Sequence, residues 1–251
     1  MSSLAIGGIV FACVFCGALV GMFLRPRLPE SHLSTETKDV VKLAIAFIAT
    51  MCALVVSLLI SSAKTAYDTR TRELLQTSVD IVAVDRVLAH YGPEAQDART
   101  LLRDSVQAAL ERVWPANGSH PAKLDPKASA ADMLYDKVSQ LTPQTDAQRG
   151  LKAQALNMAA ELGRLRMLLL VQENSSIPTA FLVVLVFWLT IIFCSFGLFA
   201  PGNATVVGVF VVCSLSVAGA IFLIIELDRS YEGLIQISSA PLRQALVQLG
   251  Q

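Results

Sequence analysis

Hydrophobic and polar positions divide the chain into four long apolar runs and a polar middle that still follows a helical period. The apolar runs are Leu4–Leu24, Leu43–Ala63, a stretch from Ser176-Ile177-Pro178 to about Phe199, and Thr205–Ile225. Each is close to the roughly 20 residues a helix needs to cross a bilayer. A signal peptide is the rival reading of the first run. Met1-Ser2-Ser3 brings no basic residue, however, and no A-x-A-like site precedes Arg25-Pro26-Arg27, so a retained membrane helix is expected. Within it Gly17 and Gly21 form a G-x-x-x-G helix-contact pattern. Pro26 and Pro29 end that helix. Ser34 is the expected N-cap of the second, with Glu36 and Asp39 near its positive end.

The second run organises the rest. Ala49, Ala53, Ser57 and Ser61 recur at every fourth position and share one helix face, with Lys64 one turn beyond. No breaker follows Lys64, which predicts a helix that leaves the membrane and continues through Tyr67, Leu74 and Leu75 until Tyr91-Gly92-Pro93 stops it. Leu74, Leu75, Val79, Val82 and Leu88 are the expected apolar stripe of this continuation. Ala98, Leu101, Leu102, Val106, Ala109, Leu110 and Val113 predict an amphipathic helix over about Glu94–Trp114. Pro115–Ser129 reads as a loop, with a weak glycosylation pattern at Asn117. Ala130–Leu141 reads as a short helix, and Thr142-Pro143 opens a longer one with Leu151, Ala155, Leu162, Leu165 and Leu169 on one side. No run alternates as a strand would. Phe187 and Trp188 lie too centrally in the third apolar run for an interfacial belt and are expected to pack on neighbours. A short helix is expected from Pro241.

The resulting fold class is an all-α integral membrane protein. Four transmembrane helices form two hairpins, with a helical extramembrane insert between the second and third spans. The expected segments are 1–63 (first hairpin), 64–175 (insert), 176–226 (second hairpin) and 227–251 (tail). Lys64, Arg70, Arg72, Arg164, Arg166 and Arg229 flank the membrane on the insert side; Arg25, Arg27, Lys38 and Lys42 flank it on the other. The balance favours a cytoplasmic insert modestly.

Composition agrees. Of 251 residues, 54% are hydrophobic and 16% charged, and the mean hydropathy is +0.57; a soluble domain carries more charge. The formal net charge is zero, and the insert holds 14 basic and 14 acidic residues between Lys64 and Glu173. That balance argues against nucleic acid as the main partner, since phosphate binding needs a basic excess on one face. Cys13, Cys16, Cys52, Cys194 and Cys213 all fall in apolar runs and form no disulfide framework. The Cys13–Cys16 pair reads as small packing residues rather than metal ligands. His32, His90 and His120 are scattered, so neither a metal site nor another cofactor is expected. There is no Gly-rich phosphate loop, nucleophile elbow, H-E-x-x-H or defensible pair of carboxylates, and the reading is not that of an enzyme.

Two constellations stand out. The face Ala49, Ala53, Ser57, Ser61 and Lys64 fits either a permeation path, whose hydroxyls replace water around an ion, or close helix packing with Lys64 snorkelling to the interface. Lys64, Asp68, Glu226, Asp228 and Arg229 gather at the insert-side ends of spans two and four. Charges at that boundary are costly unless paired, which predicts a Lys64–Glu226 or Asp68–Arg229 latch.

The segment LRPRLPESHLSTETKDVVKLAIAFIATMCALVVSLLISSAKTAYD, then DRVLAHYGPEAQDAR, then ELDRSYEGLIQISSAPL resembles, in matching order, the bacterial bestrophin-like family. The tail pattern ELDR…G…S…PL is its most specific part. The resemblance implies kinship with bestrophins, which are oligomeric anion channels with cytosolic helical regions. Span two departs from true bestrophins, having no proline, no glycine and no run of aromatic residues, and no acidic calcium clasp is evident. Two functions follow as expectations. One is a homo-oligomeric ion channel or transporter, passing anions, in the bacterial inner membrane, with lipid, inorganic ions and its own copies as partners. The other is a non-conducting membrane scaffold or sensor that binds a partner through its insert.

Overall fold

The computed structural model describes residues 2–29, 34–115, 130–171, 178–230 and 234–250, excluding the side chains of Arg166 and 168–171. The expected loop at 116–129 with Asn117, the histidines His32 and His120, and the Ser176-Ile177 start of the third span lie outside the described residues, as does the Leu169 side chain. Among the described residues every regular element is helical: α1 Ser3–Leu24, α2 Thr35–Tyr91, α3 Gln96–Val113, α4 Ala130–Ser139, α5 Asp146–Val171, α6 Thr179–Phe199, α7 Ala204–Asp228 and α8 Ala240–Gln248. Four of them, α1, α2, α6 and α7, are long and apolar enough to cross a membrane.

Caps and breakers account for the ends. Ser34 Oγ accepts from the Thr37 backbone N–H at 3.3 Å, satisfying one orphan donor at the start of α2. Asn203 Oδ1 does the same for Val206 at the start of α7, at 2.9 Å. α2 then runs 57 residues without interruption and stops at Gly92, whose φ of +126° suits glycine, followed by Pro93.

The chain forms two compact units, residues Met1–Ala66 with Ser175–Arg229, and Tyr67–Asn174 with Ser230–Gln251. In the first, α1 packs mainly on α6 and then on α7. Val10, Val14 and Ala18 of α1, Leu185 and Ile192 of α6, and Ala218 and Ile221 of α7 share a core with Ile45, Cys52, Leu59 and Ala63 of α2. The contact is close because it is built on glycine. A Cβ on Gly21 would land on the Cys194 carbonyl oxygen, and one on Gly197 would land on the Ala18 carbonyl oxygen; at Gly17 the nearest atom, Thr190 Cγ2, is 2.8 Å away. Lipid tails supply no hydrophobic drive between helices, so close backbone approach takes its place.

In the second unit α3, α4, α5 and α8 pack with the continuation of α2 around Val84, Leu88, Leu102, Leu134, Val138 and Ala155. Here the expected stripe of α2 needs correcting. Leu75 and Val79 are 47% and 63% exposed. From Leu74 onward the buried positions are Leu74, Ser78, Ile81, Val84, Asp85, Leu88 and Tyr91, with Val82 half-buried. Two polar residues on the inward face hide it from a hydrophobicity count, and Ser78 settles there by donating to the Leu74 carbonyl at 2.8 Å. Two further expectations change. Trp188 does pack on the core of the first unit, but Phe187 is 61% exposed, turned away from Leu185 and Ile192. All five cysteines are free, and Cys13 and Cys16 are exposed on α1 rather than packed.

Candidate functional site

The membrane part of α2 is the least enclosed of the four apolar helices, with 17% of its apolar stretch buried against 33% for α1. At about 100° per residue, its surface divides into three sectors. Ile45, Cys52, Leu59 and Ala63 form the buried stripe. Leu43, Phe47, Leu54 and Leu58 form a bulky apolar sector, 74, 70, 63 and 64% exposed. Ala49, Ala53, Ser57, Ser61 and Lys64 occupy a third sector, roughly a third of a turn from the buried stripe, and all five are exposed. A helix in hydrocarbon needs one face for protein and can give the rest to lipid. Four of the five positions, Ala53, Ser57, Ser61 and Lys64, lie outside that packing, while Ala49 also lines a groove against α6 and α7 and the exposed Ile60 interrupts the sector.

At the other end of the site, Glu226 and Asp228 are buried to 2% and 5% exposure in the last turn of α7, and Arg229 caps that turn half-buried, its N–H donating to the Ile225 carbonyl. Lys64 is exposed and Asp68 half-buried on α2. Helix geometry places Lys64 and Glu226 both at ends of apolar stretches within the first unit; Asp68 belongs to the second.

Several polar residues were not singled out from the sequence. Asp85, 3% exposed, accepts two parallel bonds from Arg99, Nε to Oδ1 and Nη2 to Oδ2, each 2.8 Å, and its Oδ2 also accepts from the Gly250 backbone N–H at 3.2 Å. The pairing pushes the Arg99 guanidinium pKa up despite burial, so it stays charged. Arg70, also buried, donates to Ser230 Oγ at 3.2 Å, and Trp114 Nε1 donates to the Ile237 carbonyl at 3.0 Å. Together these bonds hold the tail in the second unit, with Leu242 and Leu249 in its core. The sequence signals that bear on them are the family-like segments DRVLAHYGPEAQDAR, which begins at Asp85 and ends at Arg99, and ELDRSYEGLIQISSAPL, which holds Ser230 and Ile237. His90 is exposed with Nδ1 against the Arg86 carbonyl, and no group of His, Cys, Asp and Glu fit to hold a metal ion occurs among the described residues.

The sequence profile of the Bestrophin-like domain matches residues 12–242. The chain belongs to the Bestrophin-like family. This bestrophin-like chain also shares its fold with solved structures. Two are single-substitution variants, one Ile-to-Thr and one Leu-to-Thr, of a bacterial bestrophin homologue from Klebsiella pneumoniae. They are 14% identical, with TM-scores of 0.61 and 0.64, covering 96% of this chain and 96% and 99% of theirs. A third, a membrane protein with a Pro-to-Ala change, is 13% identical with a TM-score of 0.61 over 95% of this chain and 99% of its own. No curated protein matches.

Proposed function

We propose that this bestrophin-like chain is a multi-pass protein of the bacterial inner membrane whose copies assemble into an ion channel. α1 with α2 and α6 with α7 form its two membrane hairpins, and residues 64–175 form a cytoplasmic insert. The face Ala49, Ala53, Ser57, Ser61 lines the path, and Lys64 at its end forms a ring of positive charge that draws anions. The observation that carries this reading is the exposed small-residue sector of α2, set apart from the bulky sector that suits lipid. The family membership points the same way.

The test is ion flux. Purified oligomer in liposomes passes chloride down a gradient, and Ser57→Leu reduces that flux on the order of tenfold, because a branched side chain takes the place of the hydroxyl facing the path. No flux under any ion gradient, with the oligomer confirmed, removes the channel and leaves the membrane scaffold. The exposed Leu75 and Val79, one turn apart on the water-side part of α2, favour that second reading.

At the boundary, Lys64 and Glu226 act as a structural latch between α2 and α7. A buried carboxylate at a membrane edge needs a cation, and Lys64 belongs to the same unit. A double-mutant cycle of Lys64→Ala and Glu226→Ala gives a coupling of about 0.5–3 kcal/mol in thermal unfolding. Strict additivity dissolves the latch.

A further inference from the structure

At the end of the first unit remote from Lys64, a groove of about 610 Å³ runs between α2 and the α6–α7 turn. Its lining is mainly apolar: Ile45, Ala46 and Ala49 on one side, Phe196, Phe199 and Phe210 on the other, with Ser195 and Thr205 among them. The Phe193 and Phe210 rings, with centroids 6.5 Å apart, support its floor. Two cations stand at its rim. Lys42 belongs to the lining and is 70% exposed, held only on one side by Asp39 at 3.3 Å. Arg25 donates through Nη1 to the carbonyl of Ala200, another lining residue, which brings its guanidinium, with five N–H donors in all, to the rim. Beside them Arg27 stacks over Phe23 at 3.6 Å to the ring centroid, an aromatic–cation pair of the kind that sits at a membrane–water boundary.

We propose that this groove takes an acyl chain of an anionic phospholipid, with Lys42 and Arg25 binding the phosphate. Apolar length joined to cationic donors at one rim is the complement of that ligand. A membrane helix from a second copy of the chain matches it less well, since none of the four apolar runs carries an acidic side chain to meet the two cations. The groove shares Ala49 with the face proposed to line the ion path, and the remaining lining residues belong to the groove alone.

The experiment uses the full-length protein in nanodiscs of mixed phosphatidylglycerol and phosphatidylcholine, with a trace of either lipid carrying a photoactivatable acyl chain, followed by peptide mapping. Phosphatidylglycerol is expected to label the peptides spanning 42–49 and 195–210 in preference to phosphatidylcholine. Lys42→Gln, a change at an exposed side chain, lowers phosphatidylglycerol labelling about fivefold, the worth of one cation at a lipid surface. Ala46→Trp fills the groove and removes labelling by both lipids. The headgroup alone, glycerophosphoglycerol, does not compete. Equal labelling by the two lipids with no response to Lys42→Gln overturns the assignment. So does full competition by the headgroup, which makes this a plain anion site, or crosslinking of these peptides to a second copy in place of lipid.

Discussion

The two units solve the packing problem in different ways. In the unit containing α1, α6 and α7, glycines bring backbone against backbone: Gly21 and Gly197 leave no room for even a methyl group. Both units also bury large side chains completely, Leu185, Ile221 and Ile224 in the first and Leu88, Leu134 and Val138 in the unit containing α3 to α5, so the glycine contacts are what the first unit adds. The difference follows the solvent. In water, burying a leucine or isoleucine is favourable in itself, about 1.5–3 kcal/mol for a whole side chain. In lipid that gain vanishes, because the tails are as apolar as leucine, and what remains is van der Waals contact at short range. The unit containing α3 to α5 also carries a buried ion pair, Asp85 with Arg99, which fastens its own tail.

The largest expected effect breaks the second strategy. Asp85→Ala leaves the Arg99 guanidinium, 14% exposed, without its carboxylate and releases the Gly250 N–H. Removing one partner of a buried pair typically costs about 3–5 kcal/mol. Thermal unfolding in detergent, followed by far-ultraviolet circular dichroism, should show a large fall in midpoint for this variant. The double change Asp85→Leu with Arg99→Met is expected to recover most of it, since two apolar side chains need no pairing. Failure of the double variant to recover would mean the Gly250 contact, not the ion pair, carries the energy.

Next in size is a change that breaks the first strategy. Gly21→Val sets two methyl groups where the Cys194 carbonyl now lies. Overpacking costs about 1–3 kcal/mol in a core that can adjust, and the obstacle here is backbone, so the upper end is expected. The matching change at Gly8, whose added Cβ meets nothing within 4 Å, should cost well under about 1 kcal/mol. Equal losses at the two glycines would show that helix propensity rather than contact is being measured.

These two residues also mark what a sequence can and cannot disclose. The G-x-x-x-G spacing of Gly17 and Gly21 was readable because two glycines one turn apart share a face on which another backbone can approach closely. Its counterpart Gly197 was not, since it stands alone among Phe196, Leu198 and Phe199 with no glycine a turn away. The uninterrupted course of α2 was readable from the lack of any breaker between Lys64 and Gly92. The face it buries was not, because Ser78 and Asp85 lie on it, and a polar residue inside a core looks the same in sequence as one in water. Asp85 is one of 14 acidic residues in the insert, and only the fold brings Arg99 and Gly250 to it. For the small-residue face of α2, spacing supplied the alignment of Ala49 to Ser61, while its exposure within the chain required coordinates.

The smallest effect tests whether the unit containing α3 to α5 tolerates an imperfect core. Tyr91 is 3% exposed, and its hydroxyl is buried without a hydrogen-bond partner among the described residues. Burial raises its pKa above the ordinary value of 10.0, and the Glu94 carboxylate adds to the shift. A raised folded-state pKa means that the folded form holds the proton more tightly. The neutral ring is accommodated in full below about pH 10, and stability falls as pH rises past it, because folding then forces the phenolate either to protonate or to sit in an apolar site. Tyr91→Phe deletes the orphan hydroxyl and keeps the ring. Stability near pH 7 should stay within about 0.5 kcal/mol of the parent or rise slightly, since no bond is lost and a desolvated polar group is removed. Between pH 9 and 11 the variant should lose less of its midpoint than the parent does. A clear loss at pH 7 would instead reveal a partner for the hydroxyl, such as an ordered water, and Tyr91 would then be held by a polar contact as well as by apolar packing.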